Sequence, residues 1–181
     1  MRNLSFFLIA LAAAWWYLGG SNTEAVVLPD GTLNYPDYRI ETVETFAIDA
    51  RVLSREDYHS DREAELSPTD LALGWGPMAE DEVRAAFEIS QRNRWYYWKA
   101  ERMPIARAQV AAYSANMHMI PANELASAAL ARVRVDDRVR LKGRLVDVNA
   151  SDGWRWRTSR SRSDSGKGAC ELLLLEHIEW L

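Results

Sequence analysis

Thirteen consecutive apolar residues, Phe6 to Leu18, divide this chain before any fold is considered. Arg2 and the terminal amine give the run a short positive start. At about 1.5 Å per residue a helix from Leu4 to Gly19 spans roughly 24 Å, short of a hydrocarbon core of about 30 Å. Trp15, Trp16 and Tyr17 suit the headgroup level and complete the span. The alternative is a cleaved signal peptide, but Ala10 and Ala12 lie too early for its small-residue cleavage site and the run ends in bulky aromatics. Residues 1–20 are therefore expected to be a transmembrane anchor. No Lys or Arg lies between Gly20 and Arg39, while Glu24, Asp30 and Asp37 do. The positive-inside rule then keeps the N-terminus in the cytoplasm. The expected location is a bacterial inner membrane, crossed once, with the C-terminal domain in the periplasm.

Beyond the anchor, residues 21–38 read as a polar tether with a hairpin signal at Asp30-Gly31. Residues 39–181 are the length of one ordinary domain. Their pattern is α+β, with an antiparallel sheet or small OB-like barrel and two or three helices. A bulged strand is expected over Glu44–Leu53, and Arg55–Glu65 as a solvated charged stretch. Ser67-Pro68-Thr69-Asp70 has the residues of a helix start, stopped by Gly74-Trp75-Gly76-Pro77. Ala79–Ser90 carries helical spacing of Val83, Ala86 and Phe87. The aromatic run Arg94–Ala100 suits a strand. Ser114–Pro121 shows no clean period and reads as irregular. Asn123 is placed to cap a helix to Ala131. Arg138–Val148 alternates until Gly143, where a bend is expected. Asp152-Gly153 predicts a turn, with Trp154–Ser159 returning and Ala169–Ile178 as the last strand. The turn-then-bent-strand segment from Val135 to Gly143 resembles the entry strand of OB-type barrels, a likeness of shape that carries no function.

Charge is uneven. Ser21–Leu66 holds eleven acids and four bases, whereas Arg132–Lys167 holds eleven bases and five acids. The basic part either forms a binding face or pairs with the acidic part on folding.

The chemistry-bearing candidates are few. Ser114, Asn116 and His118 sit close in sequence, and His118 is a candidate general base with Asp70 or Glu101 to orient it. The bland reading is a loop histidine packed between Met117 and Met119. Trp75, between two glycines, is either a stacking platform or a core plug. Trp154, Arg155, Trp156, Arg157 and Arg160 alternate aromatics with arginines, the pattern of a surface that stacks rings and contacts phosphates. Outside the membrane its partners would be an envelope protein, anionic lipid or glycan, with no nucleic acid expected. The competing reading is a hairpin with a core tryptophan face and a soluble arginine face. His59, His118 and His177 share no metal-ligand spacing, Gly166-Lys167-Gly168 is no phosphate loop, and Cys170 opens an apolar strand. No metal or cofactor is expected. The leading expectation is a membrane-anchored binding or assembly module; the alternative is an envelope hydrolase with His118 as base.

Overall fold

The computed structural model describes residues 26–27, 32–35, 37–160 and 170–181. The expected anchor, part of the expected tether and residues 161–169 lie outside them. Among the described residues no helix is long and apolar enough to cross a membrane.

The domain is mostly sheet, with three short α-helices among the described residues. Strands β1 (Val26–Val27) and β2 (Leu33–Asn34) pair across the Asp30-Gly31 segment. The long β3 (Tyr38–Asp57) follows, then β4 (Thr69–Gly74). Helix α1 (Asp81–Ala85) precedes a hairpin of β5 (Glu88–Arg92) and β6 (Trp95–Lys99). Helix α2 (Arg107–Ala112), β7 (Ser114–Pro121) and α3 (Glu124–Leu130) come next. The chain finishes with β8 (Arg138–Ala150), β9 (Arg155–Trp156) and β10 (Glu171–Trp180). Five strands close a ring in the order β3-β4-β7-β10-β8-β3. Every pairing in it is antiparallel except β7 with β10, which corrects the purely antiparallel expectation. The chain between those two strands, with α3 and β8, is long enough for the crossover a parallel pair requires.

Bulges decide which side chains enter the ring. Before Val43, the even positions Tyr38 and Ile40 join an apolar cluster on the outer face. The register shifts between Thr42 and Glu44, and the even positions Phe46, Ala50 and Val52 then fill the interior. A second shift between Val52 and Ser54 reverses the parity again. In β10 the shift lies between Leu175 and His177, so that Leu173, Leu175 and Ile178 all point inward. One extra residue on one strand does this because side chains alternate with period two. Gly143 pairs with Leu175 beside that bulge. A Cβ on it would lie 2.0 Å from the Leu174 carbonyl oxygen, so the close strand approach requires glycine.

Three local expectations are overturned by packing. Thr69–Gly74 is a strand, not a helix start: every residue is buried and β3 and β7 pair with it on both sides. The helix expected over Ala79–Ser90 ends at Ala85, because Phe87 enters an outer cluster with Leu53, Ala72, Met78 and Val110, and Glu88–Arg92 pairs with β6. Ser114–Pro121 is a strand whose outward residues are polar yet covered, which hid its alternation. Arg55 is also not solvated. Its Nη1 donates to the carbonyl oxygens of Leu130 and Val133 at 2.6 and 3.1 Å, satisfying the C-terminal end of α3. At the other end of α3, the Asn123 side chain accepts from Ala126 N–H as expected.

Gly143→Ala should lower stability by about 1–3 kcal/mol in a denaturant titration, the range for a side chain forced into filled space. An unchanged midpoint would mean that β8 and β10 can separate locally at no cost.

Candidate functional site

The arginine hairpin is built where β8 ends. Residues 151–153 turn the chain, Gly153 has φ +90°, and Asp152 Oδ1 accepts from Trp154 N–H. The short β9 then pairs with Val148 and Asn149. Trp154 and Trp156 are half-buried and pack on the outer cluster of Ile40, Val146, Val148, Leu172 and Leu174. Trp154 meets Tyr38 edge-on at 6.1 Å, and Arg62 lies over its ring at 4.6 Å while pairing with Asp152. That pairing holds the Asp152 carboxyl below the usual range. The tryptophans are thus engaged with the domain, while the arginines face out. Arg160 contacts Asp147 Oδ2 at 2.8 Å and Arg157 reaches the same oxygen at 3.8 Å. Arg157 also donates to Asn149 Oδ1 at 2.7 Å. Arg155 is exposed and has no ion-pair partner among the described residues.

The acidic and basic stretches meet along β3 and β8. Arg140 grips Asp49 through two contacts of 2.6 Å, and the Arg140 hydrogen bonds hold Asp49 below the usual carboxylate range. Pairing between the stretches therefore consumes part of the basic charge. The hairpin arginines lie beyond it.

A second cluster lies on the covered outer face of β4 and β7. The register sets Asp70 opposite His118, and His118 Nδ1 is 2.9 Å from Asp70 Oδ1. The contact is close but out of line for a hydrogen bond, which leaves Nδ1 without one. Trp156 covers the His118 ring at 4.8 Å. Asn116 Nδ2 donates to Asp70 Oδ2 at 3.3 Å, and Asn116 Oδ1 accepts from Gln91 at 2.6 Å. Ser114 is not part of this group. It lies four residues from His118 on one strand, about 13 Å along the chain. Its hydroxyl donates to Val110 O at 2.7 Å and meets Tyr96 Oη at 2.9 Å. Trp75 is half-buried just past Gly74, which pairs with Ser114, so it too stands away from His118 and Trp156.

Sequence reasoning missed the residue that organises this cluster. Arg94 is at the β5–β6 turn, where Asn93 and Arg94 have φ of +51° and +66°. Two left-handed residues match the twist of a two-residue hairpin turn. Asparagine tolerates that conformation, but for arginine it costs about 1 kcal/mol. The guanidinium offsets this with a bidentate grip on Asp61, at 3.0 and 2.6 Å, and a 2.9 Å bond to Asp70 Oδ1. It also donates to Ser67 O at 2.9 Å and lies 3.8 Å from the Tyr58 ring centroid. The Arg94 hydrogen bonds depress the Asp61 carboxyl, and burial raises the Tyr58 hydroxyl to about 12. Burial opposes the Arg94 charge, yet Asp61 and Asp70 outweigh it and raise the group. The signal available in sequence was Asn93 between two strand-like runs, a hairpin-turn residue.

No family model and no curated protein matches the chain. Among the described residues no group of three or more His, Cys, Asp or Glu is arranged to hold a metal ion.

Because the folded Asp61 carboxyl lies below its unfolded value, its stabilisation is present above about pH 4 and lost as pH falls through the folded value. Asp61→Asn should lower stability at pH 7 and flatten the acid limb of a stability-against-pH curve below about pH 4. An acid limb of unchanged slope would show that Asp61 is not held by Arg94 in solution.

Proposed function

We propose that the chain is a membrane-anchored binding module whose domain lies in the periplasm of a bacterial cell and has no catalysis of its own. One observation carries this reading: Arg155, Arg157 and Arg160 are all exposed, and among the described residues the carboxylate they meet is Asp147, shared by Arg157 and Arg160. The tryptophans between them brace this arginine edge from behind. Strand order supports an OB-like barrel. Numbered along the chain, the ring strands run first, second, third, fifth, fourth and back to first. OB folds are five-stranded Greek-key barrels in which the face of strands two and three, with the loops joining strands one to two and four to five, forms the ligand surface. Here those connections are residues 58–68 and 151–170, and the second carries the arginines.

The matching partner is anionic: a lipid headgroup layer, a phosphorylated glycan or an acidic envelope protein. Each arginine near an anionic surface contributes about 1 kcal/mol, a weak contact by itself. An anchor would raise the effective concentration, so that a weak contact suffices. β2 pairs with Arg39 and Ile40, and these pair with Asn149 and Val148. The tether therefore enters the domain beside the arginine hairpin.

Arg155→Glu with Arg157→Glu should abolish flotation with anionic vesicles or capture of an envelope partner, with melting temperature little changed. Retained association would remove the arginine edge as the contact surface. A reporter active only in the periplasm, fused after Leu181, should give signal; silence would place the domain on the other side.

The 2.9 Å approach of Asp70 to His118 favours a second reading, an envelope hydrolase with His118 as base. With Ser114 out of reach, its nucleophile would be water. His118→Ala should then eliminate turnover and spare the melting temperature. A variant that simply loses stability would make His118 a packing residue.

A further inference from the structure

The hairpin of β5 and β6 forms its own sheet, with no ladder to the ring. Its two ends are held by different forces. Near the root, Phe87, Ile89 and Trp98 pack into the apolar cluster around Met78 and Val110. At the tip, Arg94 alone reaches into a charged seat. Every group that receives its guanidinium comes from one other segment, residues 58–70: the Asp61 carboxylate, the Ser67 carbonyl, the Asp70 carboxylate and the face of Tyr58. The hairpin supplies the occupant and, behind the seat, Gln91, whose amide donates to Asn116 Oδ1.

The seat has the chemistry that selects guanidinium. A planar fork fits the bidentate carboxylate of Asp61, and an aromatic face stacks on the delocalised cation. A point-charge ammonium would use fewer of these groups. Two carboxylates face the one guanidinium. Buried polar groups around the seat are left incompletely satisfied. His118, with a side chain 4% exposed, brings Nδ1 to 2.9 Å from Asp70 without a hydrogen bond. Gln91 Oε1 on the hairpin is buried with no partner. The occupant is itself strained, since Arg94 has φ of +66°. A pre-formed seat, an occupant in a costly backbone conformation and unmatched polar atoms beneath it together describe a site whose occupant can be exchanged.

We infer that residues 58–70 form a binding site for an arginine side chain, filled in cis by Arg94, and that an arginine presented by a basic peptide takes this seat when the hairpin tip lifts. The site adjoins the arginine hairpin, through Arg62 paired with Asp152 and Trp156 over His118, but uses none of its outward arginines. Either assignment can fail without the other.

The test uses the full-length chain with Arg94→Ala and two matched probes, N-acetyl-L-arginine amide and N-acetyl-L-lysine amide. The variant should bind the arginine amide saturably in calorimetry, at least about tenfold tighter than the lysine amide. Wild type should show no binding at the same concentrations, and adding Asp61→Asn to the variant should remove it. A folded variant that binds neither probe, or both equally, overturns the inference. Should Arg94→Ala fail to fold, Arg94→Lys keeps a charge at the tip but loses the fork. The arginine amide should then raise the melting temperature of Arg94→Lys and leave wild type unmoved. No rise in that variant overturns the inference equally.

Discussion

Thirteen residue pairs join β3 to β8, from Tyr38 opposite Ala150 to Arg51 opposite Arg138. This ladder connects positions about a hundred residues apart, and the ring has no closure without it. Once it forms, the sheet has a sealed interior for Leu71, Leu73, Met117, Met119 and Leu141 and an outer face free to carry other chemistry. The ladder is also where the uneven charge of the sequence is resolved, since Asp49 on the acidic strand meets Arg140 on the basic one. Contacts of such long sequence separation place the domain among slow folders, in the millisecond-to-second range.

Much of the sheet was legible because its strands obey simple rules. β8 alternates, Gly143 marks a close approach, Asp152-Gly153 turns the chain, and Asn123 caps α3. The misread segments share a physical cause. Ser67–Asp70 has the residues of a helix start, yet those local preferences amount to about 1 kcal/mol and yield to burial on both faces. Ser114–Pro121 was unreadable because its buried outward face is polar, and alternation is detected through hydrophobicity. Arg55–Glu65 reads as a solvated charged stretch because sequence cannot show that a distant helix end needs the Arg55 guanidinium.

The candidate site divides in the same way. Local turns and alternation gave the arginine hairpin, whose tryptophan face packs, half-buried, on the outer cluster of the domain. Asp70 was named as one of two partners for His118, and strand register brings it there. Arg94, Asp61 and Tyr58 come together only through the tertiary fold, from a hairpin tip and a connection that no sequence spacing relates. Burying Asp70 among Arg94, Asn116 and His118 is a demanding arrangement. Removing one partner of a buried charge costs about 3–5 kcal/mol, far more than the pair itself contributes. Such a cluster ties the hairpin, the 58–68 connection and the ring into one unit.

The paired bulges in β3 give that strand a grammar of its own. Between Val43 and Leu53 the even positions belong to the interior; outside those points they belong to the outer face of the ring. Deleting Val43 would remove the bulge and leave every other residue of β3 on its own face, whereas deleting one residue between the bulges would leave the chain able to pair but would invert the sidedness of everything on one side of the cut. Between its bulges the length of β3 is thus counted to the residue, and a loss is absorbed without a change of face only where an extra residue already stands out of register.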